Sequence, residues 1–337
     1  MNWVILILGF LFGAILQYAH LNKYDVISRL STLEDLTIAK ALLVAIGAGA
    51  IILNIEIAFG IASYHVKPFV FGGIVLGGLI FGSGMAILGY CPGTLAVSLG
   101  EGALDALTGI IGGLLGGLVF TLILPSIKGI LGPDWGKISL NSITGGGNIL
   151  FFIFLFIIAI AFIYFALWLD KREEGKNRKW LYAGIGLAVL NAFVFLGSVT
   201  NRPIGASTMY PYLADYLSGL THNAYFTKIQ TPGHWELIFL VGAFLAGLII
   251  SLIKKDFELR LIFSNWEHYK GSSIVARIVW AFVGGFVLIF GARMAGGCTS
   301  GHILSGGMQL AVSSLVFTVF VFTGLVVTGK LFYKKSE

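Results

Sequence analysis

Cysteine is nearly absent. The 337 residues hold two, Cys91 and Cys298, and no Cys-x-x-Cys, which argues against a zinc ribbon or a thioredoxin-like redox pair; no metal and no cofactor are expected. Charge is scarce as well. Asp, Glu, Lys and Arg make up 11% of the chain, whereas a soluble domain carries about a quarter, so an ordinary soluble fold is excluded. The net charge of +6 would suggest nucleic acid in a soluble protein. Here membrane topology accounts for it better, and no nucleic-acid partner is expected. The stretch Met1 to Tyr18 lacks a basic leader and an Ala-x-Ala site, and reads as a retained first helix rather than a signal peptide.

What fills the chain is apolar, 57% of all residues. A helix crosses the hydrocarbon core with about 20 residues, and nine stretches qualify: 3–19, 38–63, 68–89, 103–125, 148–169, 180–198, 235–253, 274–295 and 309–329. The chain therefore reads as an all-α integral membrane protein, one polytopic unit over 1–337 in contact with the lipid bilayer throughout. Lys171, Arg172, Lys176, Arg178 and Lys179 lie in one loop, and Lys330, Lys334 and Lys335 in the tail. The positive-inside rule puts both in the cytoplasm, so nine spans leave the N-terminus outside and the C-terminus inside. Lys67, Lys128, Lys137, Arg202 and Lys228 are the exceptions, left in outer loops.

Two short stretches repeat. Gly89-Tyr90-Cys91-Pro92-Gly93-Thr94 and Gly296-Gly297-Cys298-Thr299-Ser300-Gly301-His302 stand 207 residues apart, and the same offset relates Gly77 to Gly284, Gly84 to Gly291, Ser98 to Ser305 and Gly100 to Gly307. This is the mark of an internal duplication, with one repeat over about 1–127, a second over about 180–329 and a linker span at 148–169. The third span runs inward and the eighth outward, so the duplication is inverted, the ground plan of transporters whose site lies near the midplane. A second matched pair begins at Asn22-Lys23 and at Asn201-Arg202, with Asp35 and Asp215 further on. Each half thus has two polar stretches too short to span, and four such broken or re-entrant helices would form an hourglass with irregular backbone at its waist. Gly109, Gly113 and Gly117, with Gly112 and Gly116, form a small-residue stripe that suits packing inside the bundle.

Pro92 suits the first position of a helix, which makes Cys91 its N-cap, and Thr299 and Ser300 are helix-starting residues after Cys298. Both thiols then lie where free N–H groups favour an anion. One isolated cysteine more often packs as a small hydrophobe, but two at matched places among glycines point to function. Arg293 is either an intramembrane functional cation or a side chain snorkelling to headgroups. His302, one turn past Cys298, either shares its face or is a hydrogen-bonded core imidazole. Arg202 could guide anions inward by charge or simply be solvated. Glu56 could carry protons or be a packed carboxyl.

These elements, with Gly13-x-x-x-Gln17 at the end of the first span, resemble the bacterial YeeE/YedE-like membrane proteins, over essentially the whole chain. The resemblance implies nine spans, an inverted repeat, a place in the bacterial inner membrane, import of thiosulfate or a related sulfur compound, and direct contact of Cys91 and Cys298 with substrate. Related members often carry a third cysteine where this chain has Asn22, whose amide can still donate. The expected function is uptake without covalent change, not enzymatic. Cys91 and Cys298 would hydrogen-bond the anion in turn, with Gly93, Thr94, Thr299, Ser300 and Gly301 supplying further contacts and His302, Arg293, Asn22 and Arg202 nearby. The alternative is a membrane sulfurtransferase or thiol oxidoreductase serving a small TusA-like carrier in the cytoplasm.

Overall fold

A computed structural model describes residues 2–173 and 177–334; Lys176 and Lys335, used in the charge reading, lie outside the described residues. The first half runs α1 (Asn2–Tyr18), α2 (Tyr24–Thr32), α3 (Thr37–Ala58), α4 (Phe71–Leu88), α5 (Pro92–Gly100) and α6 (Leu104–Leu131). A short α7 (Leu140–Ile143) and the long α8 (Ile149–Arg172) lead to the second half. There α9 (Lys179–Phe195), α10 (Met209–Ser218), α11 (Ala224–Lys254), α12 (Ser264–Lys270) and α13 (Ile274–Met294) precede a π-helical turn (Thr299–Leu304), α14 (Ser305–Met308) and α15 (Val312–Phe332). Seven helical stretches are long and apolar enough to cross a membrane, with α1 and α9 as shorter apolar helices. The protein is an all-α integral membrane protein.

The expected spans are found, with one clear displacement. The seventh, expected at 235–253, begins at Ala224. Asn223 accepts the Phe226 N–H at 2.6 Å and caps the helix there, and Pro232 is carried inside it. The four short segments stand where polar, glycine-rich sequence was noted: α2, α5, α10 and the π turn with α14.

Contacts between the halves come in exchanged pairs. α4 packs on α15 as α13 packs on α6; α1 packs on α11 as α9 packs on α3; α4 and α13 pack on each other. The α4–α13 contact uses the duplicated glycines. A Cβ on Gly84 would strike the Leu288 backbone and one on Gly284 the Leu88 backbone, while Gly77 and Gly291 face each other in the same way. Close backbone approach of this kind replaces the hydrophobic driving force that lipid does not supply. The stripe from Gly109 to Gly117 is likewise turned inward, against α13 and α10.

At the same end of α4 and α13 sits a fully buried ion pair that sequence reading did not single out. Arg277 and Asp105 are both at 0% exposure. The guanidinium donates Nε–H to Asp105 Oδ2 at 3.0 Å and an Nη2–H to the Leu88 carbonyl at 2.7 Å, and it lies over the Tyr24 and Trp266 rings. It ties α13 to α4, α6 and α2.

Candidate functional site

Each cysteine stands just past the break of a long helix. α4 ends at Gly89 with φ 77° and α13 at Gly296 with φ 74°, the left-handed conformation that glycine adopts without penalty. Cys91 is the extended N-cap of α5 with Pro92 at its first position. Its N–H donates to Thr94 Oγ1 at 2.9 Å, and that hydroxyl makes a 3.0 Å bond back to the Cys91 carbonyl. Cys298 takes the same place before the π turn, a widened helical form that occurs often at functional sites.

The two motifs meet. Gly93 comes up against Ser300 Oγ and the Phe12 ring. Cys91, Thr94, Thr299 and Ser300 share the wall of one internal cavity of about 70 Å³, closed elsewhere by apolar side chains such as Phe12, Leu16, Leu30 and Ile303. Thr299 Oγ1 is buried without a protein partner. Tyr210, at the start of α10, points its hydroxyl at the Pro92 carbonyl, 3.4 Å away.

Cationic side chains gather near the loop that carries Cys298. Lys67, from the segment between α3 and α4, donates its ammonium to the Gly296 carbonyl at 2.6 Å. Side chains at Gly297 or Gly301 would collide with or crowd that ammonium. Burial, opposed by the thiol of Cys298 and reinforced by Arg293, holds the Lys67 pKa down at about 8. Arg293 is only 7% exposed and does not snorkel. It donates to Tyr225 Oη at 3.0 Å and to Ser207 Oγ and Thr208 Oγ1 at 3.1 Å each, a set of hydroxyls with no carboxylate among them. Arg202 lies over the Trp235 ring, 3.9 Å from Glu236 Oε1.

Other expected residues are engaged elsewhere. His302 bonds through Nε2 to the Ala295 carbonyl and through Nδ1 to Ser314 Oγ, each at 2.9 Å. Its Nε2 must therefore carry the proton, and the ring braces the Gly296–Gly297 loop. Asn22 is fully buried, its Nδ2 donating to Glu101 at 2.9 Å and Ser98 at 3.3 Å, so its donors are already taken. Glu56 has one buried oxygen without a partner and no ion pair among the described residues. Lys67, Tyr210 and Glu236 were not picked out by sequence reading. A signal existed for Lys67: it and Arg202 were two of the five exceptions to the charge rule, and both converge on this site.

The chain is similar to known proteins over most of its length. The family model described as sulphur transport matches residues 23–327. The thiosulfate transporter TsuA of Spirochaeta thermophila is 24% identical over 337 residues, covering 96% of this chain and 97% of that protein.

Proposed function

The chain belongs to the sulphur transport family, a family of transporters rather than enzymes, and from that premise we propose that it imports thiosulfate or a closely related sulfur oxyanion across the bacterial inner membrane. The observation that carries this reading is the meeting of the two cysteine segments beneath three cationic side chains. Lys67, Arg202 and Arg293 draw a small anion toward Cys298. Neutral thiols, the Ser300 and Thr299 hydroxyls and the N–H groups at the start of α5 then offer it hydrogen bonds in place of water. The exchanged contacts between halves support an inverted repeat, with the waist of an hourglass where the two motifs meet. The apolar cavity beyond Cys91 is hostile to an ion, so passage requires that side to open.

Labelled thiosulfate should accumulate in proteoliposomes holding the purified protein, with sulfate, sulfite and selenite as graded competitors. Uptake no faster than in empty vesicles sinks the reading. One observation favours the enzymatic alternative: the Lys67 ammonium, with a pKa of about 8, sits on the Gly296 carbonyl two residues before Cys298, where it would serve as a base toward the thiol. A sulfurtransferase would release sulfite outside and pass the sulfane sulfur to a cytoplasmic carrier, whereas transport delivers both sulfur atoms of doubly labelled thiosulfate together.

The charge rule sets the Lys67 side outward. A tag in the 219–223 turn should be labelled from the outside of intact cells; labelling only after permeabilisation would reverse the assignment. On that orientation the Lys67 charge is present below its pKa of about 8 and lost above it. Uptake should therefore fall several-fold as external pH rises from about 7 to 9, and Lys67→Arg, which stays charged, should flatten that fall. An unchanged fall in the variant would remove Lys67 from the path.

A further inference from the structure

The oxyanion donors at the start of α10 are already occupied, by a side chain. Glu236 Oε2 accepts the Thr208 N–H at 2.5 Å and the Met209 N–H at 3.3 Å, while its other oxygen faces Arg202 and presses into the space left by Gly205. Two backbone N–H groups at a helix start plus a guanidinium are the donor set that a small oxyanion takes. Arg202 Nε is buried and has no acceptor, so the guanidinium is only partly used by Glu236. Arg293 holds the two hydroxyls next to this seat, Ser207 and Thr208.

The same construction recurs at the matched place in the first half. Lys23, the N-cap of α2 and the counterpart of Arg202 in the duplicated Asn-Lys and Asn-Arg pairs, is held by the Glu101 carboxylate at 2.7 Å, with Asn22 bound to that same oxygen. A carboxylate paired with a base ahead of a short helix thus occurs once in each half. The clamp is tight at Lys23 and loose at Arg202, where 3.9 Å separates the nearest atoms.

We propose that the seat held by Glu236 is the loading subsite for a small divalent oxyanion, and that Glu236 is an internal competitor which yields it by taking up a proton. The inference rests on the transport reading above. An arriving dianion takes over the Thr208 and Met209 N–H groups and Arg202. Glu236, stripped of these donors and left beside two negative charges, binds one proton from the outer solution; no other bond is made or broken. The proton offsets one of the two charges moved inward. The charged and titratable groups that act on the carboxylate are Arg202 on the loop before α10, Lys67 on the segment between α3 and α4 and Tyr225 on α11, with Arg293 on α13 bound to the neighbouring Ser207 and Thr208 hydroxyls.

The test uses the purified full chain in nanodiscs with thiosulfate as the probe, at roughly pH 5.5 to 6.5, below the range in which Lys67 discharges. In weak buffer the parent should take up close to one proton per anion bound, and its affinity should weaken by up to about tenfold per pH unit. Glu236→Gln, isosteric and permanently neutral, should bind without proton uptake, with a flat pH profile and higher affinity at the upper end of that range. Binding by the parent with no net proton uptake overturns the proposal, and that measurement needs no variant. A Glu236→Gln protein that keeps the parent's slope overturns it too, since a carboxylate that merely caps α10 gives that result. Proton-linked binding without vesicle uptake upholds the subsite and sinks the transport reading; uptake without proton-linked binding does the reverse.

Discussion

Cys91→Ala and Cys298→Ala should each cut thiosulfate uptake by roughly 10- to 100-fold, the loss expected when one hydrogen bond to a charged group is removed in a site that excludes water. Alanine keeps the backbone that shapes each helix start. The Gly89 and Gly296 breaks, the Pro92 start and the Thr94 bond to Cys91 all survive the change, so the variants should insert and melt as the parent does. Serine at either place should retain more activity than alanine if donation is the role, because the hydroxyl still donates. Equal loss in serine and alanine would show that sulfur itself is needed, and would move the mechanism to a persulfide. The two sites should also differ. Cys298 follows the Gly296 carbonyl that the Lys67 ammonium holds, whereas Cys91 lines the apolar cavity; Cys298→Ala should weaken loading of the anion, and Cys91→Ala its onward passage. Binding measured apart from uptake separates the two.

Asp105→Ala should cost about 3–5 kcal/mol of stability, because it leaves the Arg277 guanidinium charged and uncompensated in a dry interior. Loss of that carboxylate also unties α13 from α6 and leaves the Tyr90 hydroxyl without its acceptor, next to the Gly89 break. The melting temperature in detergent reads the effect. The double variant Asp105→Leu with Arg277→Met should recover most of it, since a well-packed apolar pair often matches a buried ion pair. If Asp105→Ala melts within a degree or two of the parent, water must reach Arg277 and the dry-core account fails. Stability and uptake report different things here: Asp105 also accepts the hydroxyl of Tyr90, next to Cys91, so the double variant should regain its melting temperature more fully than its transport.

Much of this molecule could be read along the chain, because the relevant physics is local or periodic. Apolar runs of bilayer length gave the spanning helices. Pro92 announced the start of α5, since its ring fixes the conformation that a first helical position takes. The 207-residue offset placed the two thiols in equivalent positions before any contact was known. Only the tertiary structure could decide which polar side chains are free to meet an ion. His302 and Asn22 looked available, but the hydrogen bonds of Ser314, Ala295, Glu101 and Ser98 claim them, and partners so distant in sequence leave no local trace. Lys67 and Glu236 looked like an outer-loop charge and an ordinary helix carboxylate. They become site residues because α3–α4, α10 and α11 converge on Cys298, and the field of a charge depends on distance in space and the dielectric around it, neither of which is written in the order of residues.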